Sequence, residues 1–454
     1  MKTKLIILTI ATLSLGLLTA CDKDDKKVPA PAVNPTEPPK PTPEPILPRA
    51  LTLEEKADQM IEKTFNEQKE LINLVRRLKY VWEYYDPAKD NILLGELSER
   101  KQDEIGLLGA VLEDREELVE FFMNEKMAPL ELGLIGALKI GDMKRADLFA
   151  NHVTYDSGTK SKTVDFEVPK YWAAYIGDLA IFKYLGIKSS SGVKIINVNI
   201  GNLRLDRESE KIFRDQITQQ LQQNYVRLDF YDNYWAAYNG HLDIVKYGMA
   251  HGASPSGAFF GAGSGGHSSI LDYLYTLFDK YEYLAKNKDY FASWGLLGAA
   301  QSNNIEVGEK MIEMGAKLGF GVEGSTRYGQ LNFLKFMISR GATERDFGYV
   351  YTYACENKHL DIVSYMFKNA SNDIPFEGDS CLYSAIKNGD INMIKYLIEN
   401  GQKVTEGNIN FANEAQQVEV VNYLNQALNA QQDKPSQKIQ IQDNDIIIEE
   451  LGQE

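Results

Sequence analysis

The chain has 454 residues, 44% hydrophobic and 11% aromatic, a globular composition long enough to bury a large core. Its formal net charge is −15. A chain this acidic repels phosphate backbones, which argues against a nucleic-acid partner.

Residues 1–20 open with Lys2 and Lys4 and continue as an apolar run from Leu5 to Leu18. The run is shorter than the ~20 residues that span a bilayer and has the layout of a secretory signal. It closes on "LTAC", Leu18 to Cys21. This segment resembles the lipobox of bacterial lipoproteins. The resemblance implies that residues 1–20 are removed and that Cys21 is acylated, with palmitate among its chains. Attachment to a membrane is then through those chains, more than one being needed for stability. It also implies a place in the bacterial cell envelope, facing either the periplasm or the cell surface. Asp22 after the Cys resembles an inner-membrane retention signal, whereas the acidic run "DKDD" resembles a surface-export signal. Residues 21–50 complete this region with "VPAPAVNPTEPPKPTPEPILP". Proline at that density leaves few amide donors for helix or sheet, so a disordered, Pro-rich linker extended at ~3 Å per residue is expected.

Residues 51–104 are expected to form an N-terminal helical cap. Thr52 with Glu55 three residues later reads as a capping box. The amphipathic pattern after it predicts one long helix over about 51–85, stopping before Pro87. Its expected task is to cover the first repeat; gripping a partner is the alternative.

From 105 to 428 the chain repeats itself. "KYWAAYIGDLAIFKYL" (170–185) and "NYWAAYNGHLDIVKYG" (233–248) share ten of sixteen positions, 63 residues apart. The shared pattern, small-small-x-x-Gly-x-Leu-x-Ile/Val-x-x-Tyr/Leu, recurs with anchors at Glu113, Gly141, Gly177, Gly240, Gly266, Asn303, Gly329, Lys358, Gly389 and Gln416. A second glycine follows twelve residues after the anchor at Gly252, Gly315, Gly341 and Gly401. Small residues let a first helix pack closely, and the anchor suits the left-handed residue that ends it. The apolar positions that follow fall three or four apart, one face of a second helix. Each pair has a single buriable face, so pairs must stack. The 63-residue gap implies one degenerate unit or an insertion within 186–232.

These units resemble ankyrin repeats, most closely in "AAYNGHLDIVKYGMAHGAS" (236–254) and "ACENKHLDIVSYMFKNAS" (354–371). The resemblance implies an all-α helix-turn-helix solenoid of about ten repeats. No unit carries the family's Thr-Pro-Leu-His start, and many spacings are below 33, so regular hairpin fingers are not expected. Of the five histidines, His241, His267 and His359 directly follow an anchor, and the family uses that His to bond backbone between repeats. His152 and His251 stand elsewhere, and no ligand set for a metal is completed. Cys355 and Cys381 fall at different positions of neighbouring units; two buried thiols is the plainer reading and a disulfide the alternative. The polar tail, 429–454, is either a small hairpin or a disordered end.

The Gly-rich stretch "GAFFGAGSGGHSS" lacks the Lys-Ser/Thr ending of a phosphate loop and fits the repeat register instead. No nucleophile signature or spaced carboxylate pair appears, so neither an enzyme nor a cofactor is expected. In ankyrin-like units the two residues before the anchor face a concave groove. Here the resemblance selects Tyr175, Ile176, Tyr238, Asn239, Arg327, Tyr328, Glu356 and Asn357. Aromatic residues and Arg dominate binding hot spots, so Tyr175, Tyr238, Arg327 and Tyr328 form the expected centre of a protein-binding groove. Packing of each Tyr on the next repeat is the alternative. The expected function is a membrane-anchored lipoprotein that binds another protein as scaffold, inhibitor or adhesin. A structural envelope protein, or an enzyme with its site in 186–232, are the rivals.

Overall fold

The computed structural model describes residues 49–79, 92–156, 159–162, 164–190, 228–343, 347, 350–369 and 378–432. The signal segment, Cys21, the linker as far as residue 48, residues 191–227 of the expected insertion and the tail from 433 lie outside them.

Two helices open the described chain, α1 (Leu53–Glu67) and α2 (Lys69–Arg77). Thr52 and Glu55 form the expected capping box, with the Glu55 amide donating to the Thr52 hydroxyl at 3.2 Å. The expected single long helix is a correction, because the chain kinks at Gln68. The kink turns α2 off the axis of α1, which packs on the first repeat.

Ten helix pairs follow among the described residues. They are α3 (Glu99–Leu112) with α4 (Glu116–Glu120), α5 (Glu131–Ile140) with α6 (Met143–Asn151), and α7 (Glu167–Ile176) with α8 (Leu179–Ser190). Next come α9 (Phe230–Tyr238) with α10 (Leu242–Ala250) and α11 (Pro255–Gly265) with α12 (Ser268–Thr276). After a short α13 (Glu282–Lys286) stand α14 (Lys288–Gln301) with α15 (Ile305–Glu313) and α16 (Leu318–Arg327) with α17 (Leu331–Ser339). The last are α18 (Val350–Glu356) with α19 (Leu360–Asn369), α20 (Gly378–Lys387) with α21 (Ile391–Glu399), and α22 (Glu406–Glu414) with α23 (Val418–Gln432). A two-stranded hairpin, β1 (Val153–Asp156) and β2 (Thr159–Lys162), is the only sheet among the described residues.

The first helix of each pair packs on the first helix of the next, without a break, from α1 through α3, α5, α7 and α9 to α22. Helix α7 packs directly on α9, so among the described residues no helix pair stands between the two near-copies. Every expected anchor but one has left-handed backbone, including the non-glycines Asn303, Lys358 and Gln416. The exception moves by one residue, from Glu113 to Asp114 (φ 53°).

Stacking is closest in the middle of the array. A Cβ on Gly261 would overlap the Tyr234 carbonyl oxygen, and one on Gly298 the Phe260 carbonyl oxygen. Only glycine lets these helix backbones touch. Units two apart come into contact there: the Trp294 ring of α14 lies 5.4 Å from the Phe230 ring at the start of α9, with α11 between them. Along the second helices a Lys of one unit covers a Tyr of the next, Lys183 on Tyr247 at 5.1 Å, Lys246 on Tyr273 at 5.4 Å, Lys335 on Tyr365 at 5.1 Å and Lys395 on Tyr423 at 5.6 Å. Cys355 of α18 and Cys381 of α20, both fully buried, are joined as a disulfide with Cα atoms 5.3 Å apart. This corrects the expectation of two separate thiols. The register that offset them in sequence brings them face to face across the stack.

Candidate functional site

The residue after each anchor decides how neighbouring units are tied. His241, His267 and His359 each donate from Nε2 to the carbonyl two residues before the preceding anchor: Tyr175 at 3.0 Å, Tyr238 at 2.9 Å and Arg327 at 3.1 Å. Gln330 and Gln417 make the same bond with their side-chain amides, to Gln301 at 3.2 Å and Lys387 at 3.3 Å. Where the residue is Asp or Asn it serves its own helix instead: Asp142, Asp178, Asn304 and Asp390 cap the second helix through the amides of Arg145, Ile181, Val307 and Met393. The histidines therefore work as ties between repeats. Burial pulls the His359 pKa below its ordinary value, which keeps the ring neutral. His251 bonds the Tyr247 carbonyl at 2.8 Å. Among the described residues no group of three or more His, Cys, Asp or Glu could hold a metal.

The expected groove residues lie at the ends of the first helices. Tyr175 and Tyr238 are half-buried, and Ile176 is 42% exposed. Tyr175 meets the Trp235 ring edge-on at 5.7 Å, and Trp235 meets Tyr238 at 5.7 Å. Asn239 and Asn357 spend their side-chain amides on their own helices, bonding Trp235 O at 3.2 Å and Tyr353 O at 2.9 Å. Glu356 is exposed. Arg327 pairs with Glu323 at 2.8 Å and lies 4.1 Å over the Tyr353 ring.

Tyr328 is a correction. It is 7% exposed, and burial pushes its hydroxyl pKa well up. It and Tyr238 both act on the hydroxyl of Tyr234, which is itself buried. Tyr328 follows α16, at the end of the close-packed series α9, α11, α14 and α16, and is buried there. Ser264 donates to Gln301 Oε1 at 2.7 Å in the same series. Tyr238 and Tyr328 thus stand around Tyr234, with Tyr175 joined through Trp235, and of the three groove tyrosines only Tyr175 and Tyr238 keep an open face. Arg327, Glu356 and Asn357 form a separate polar stretch.

Sequence reasoning missed the two residues that dominate this surface. Trp235 is 8% exposed, and its indole Nε1 donates to the carbonyl of Leu78 at 3.2 Å. Leu78, just past α2, is fully buried. At the other end of α2, Lys139 Nζ donates to Gln68 Oε1 at 3.2 Å. The N-terminal segment therefore runs from the end of α5 to the middle of α9. The near-identity of "YWAAY" in two units could have marked the Trp; nothing local marks its partner.

A second polar cluster lies at the α7–α9 contact. Lys170 Nζ reaches Asp232 Oδ2 at 2.8 Å, and Tyr171 donates to Asp229 at 2.8 Å. Both ends of the ion pair are wholly buried, so the cluster fastens helices and meets no ligand.

A family model described as ankyrin repeats, in three copies, matches residues 324–408. Among solved structures, the crystal structure of the human ASB11 ankyrin repeat domain is similar at 16% identity and a TM-score of 0.24. It covers 52% of this chain and 86% of that one. No curated protein matches the chain significantly. The fold is an all-α, ankyrin-like solenoid.

Proposed function

We propose that the chain is a lipid-anchored envelope protein whose ankyrin-like concave face binds another protein. The observation that carries the binding role is the row Tyr175, Trp235 and Tyr238, large amphipathic side chains ranged on one face of a stacked-repeat scaffold. Rings of this type supply much contact area at little cost in conformational entropy. The anchoring role rests on the "LTAC" segment and Cys21. The Cys355–Cys381 bond supports it, since structural disulfides persist in oxidising compartments such as the envelope. Among the described residues no helix is long and apolar enough to cross a membrane. Scaffold, inhibitor and adhesin are roles the same groove serves.

One experiment tests both halves. Cells carrying the full chain are fractionated, and the membrane fraction is solubilised for a pull-down. The wild type is expected in the membrane fraction with a stoichiometric protein partner. Cys21→Ser is expected to leave the membrane fraction, and Tyr175→Ala/Tyr238→Ala to stay there but lose the partner. Capture undiminished in the double variant would refute the groove. Absence of any stoichiometric partner would favour a structural envelope role, and turnover by the purified chain would favour an enzyme.

A further inference from the structure

The groove face is already occupied. Leu71, Ile72, Leu74, Val75 and Leu78 give the α2 segment an apolar stripe, with Ile72, Val75 and Leu78 buried and Arg76 outside. The segment is tied to the repeats at both ends, Gln68 to Lys139 and the Leu78 carbonyl to Trp235, and Arg77 acts electrostatically on the Tyr238 hydroxyl. One of its fixed points is a bond between residues 157 apart, Trp235 to Leu78. Nine residues are too few for a helix to hold in water by itself, so α2 owes its form to tertiary packing. Its first residue is preceded by Gln68, which makes no side-chain cap. The covering of the first repeat, by contrast, is the work of α1.

We propose that the groove is a receptor for an amphipathic helix, and that α2 holds that place in the free protein. The inference rests on the reading of this face as the partner-binding groove. The partner would offer a helix of the α2 kind, with apolar residues every three or four positions and a basic last turn, as α2 has Arg76 and Arg77. It binds by displacing α2, which keeps Trp235 covered until a better-matched helix arrives. An apolar row left open would otherwise be a site of indiscriminate association.

The test uses the full chain and a fluorescein-labelled synthetic peptide with the sequence of residues 68–79. The wild type is expected to bind it weakly, because its own α2 competes. Ile72→Asp/Leu78→Asp frees the groove and is expected to bind at least tenfold more tightly. Adding Trp235→Ala should return binding to the wild-type level. A double variant that binds no better than the wild type overturns the proposal. A second readout needs no tight variant: in Trp235→Ala alone, the amides of Ile72, Val75 and Leu78 should exchange at least tenfold faster while those of α1 are unchanged. Unaltered exchange in α2 also overturns it. So does a wild-type dimer that the double variant loses, because α2 would then be exchanged between copies. Peptide uptake without any captured protein would sink the partner reading and leave the helix receptor standing. A captured protein that the peptide cannot compete away would do the reverse.

Discussion

Lys170 and Asp232 are the least expected residues of the interior. Each is essentially inaccessible, yet both are ionisable. Burial and the neighbouring Asp229 push the Asp232 carboxyl up to about 7, against the pull of Lys170. Burial works against the Lys170 charge too, but Asp232 and Asp229 outweigh it and its pKa is raised. Between the ordinary 3.8 of the unfolded carboxyl and about 7, the folded chain binds a proton that the unfolded chain has released. The Asp232 contribution to stability therefore falls as pH rises through that window. Lys170→Met would leave a buried carboxyl without its cation, at a cost of ~3–5 kcal/mol at about pH 8. At about pH 5 the loss should be much smaller, because keeping Asp232 protonated costs only ~1.4 kcal/mol per pH unit above its unfolded value. Urea unfolding at the two pH values checks this. Equal losses at both would mean that Lys170 acts through packing and not through charge.

At the scale of the helix pair, two positions read as one rule. The anchors Gly177, Gly240 and Gly329 each stand under the histidine ring of the next unit, His241, His267 and His359. Anchors that are not glycine precede units without that histidine: Asp114 before Asp142, Asn303 before Gln330, Lys358 before Asp390. The left-handed backbone alone tolerates Asn; the ring overhead does not tolerate a Cβ. At Gly240 a Cβ would come 2.8 Å from His267, whereas at Gly389 the nearest atom, of Gln417, is 3.5 Å away. Gly240→Asn is expected to cost ~1–3 kcal/mol and Gly389→Asn within about 0.5 kcal/mol of nothing, both read from chemical unfolding. Equal costs would remove the ring from the explanation. This rule also marks what was legible. Helix pairs, anchors and the histidine bonds follow from short-range spacing, because a left-handed residue and a small-residue contact constrain type at fixed offsets. Gln330 and Gln417 were hidden because an amide there has the same job under another name. Tyr328 was misplaced because its offset is the groove offset, and its burial depends on neighbouring units that a single unit's pattern does not reveal. The kink at Gln68 and the α2 contacts were invisible, since their partners are far along the chain and leave no local period.

Among the described residues the first helices form one unbroken series in which each touches mainly its neighbours, α11 being bridged from both sides. In such an array stability is close to a sum of unit and nearest-neighbour terms, so a local loss should stay local. The Cys355–Cys381 bond is the natural probe of this. It closes a segment with a sequence separation of 26, for which the chain-entropy model gives about 3.5 kcal/mol. It joins α18 to α20, in the part of the array farthest in sequence from Tyr175, Trp235 and Tyr238. Cys355→Ser/Cys381→Ser should therefore speed amide exchange in α18 to α23 while leaving α5 to α11 as they were, and the groove face tied to α2 should keep its affinity for the 68–79 peptide. Such a result would make the C-terminal units a separately stabilised arm and the α2 groove an independent module. A uniform rise in exchange from α3 to α23 would instead mean that the close packing of α9, α11 and α14 couples the two ends. Binding at the groove would then be felt as far as the disulfide.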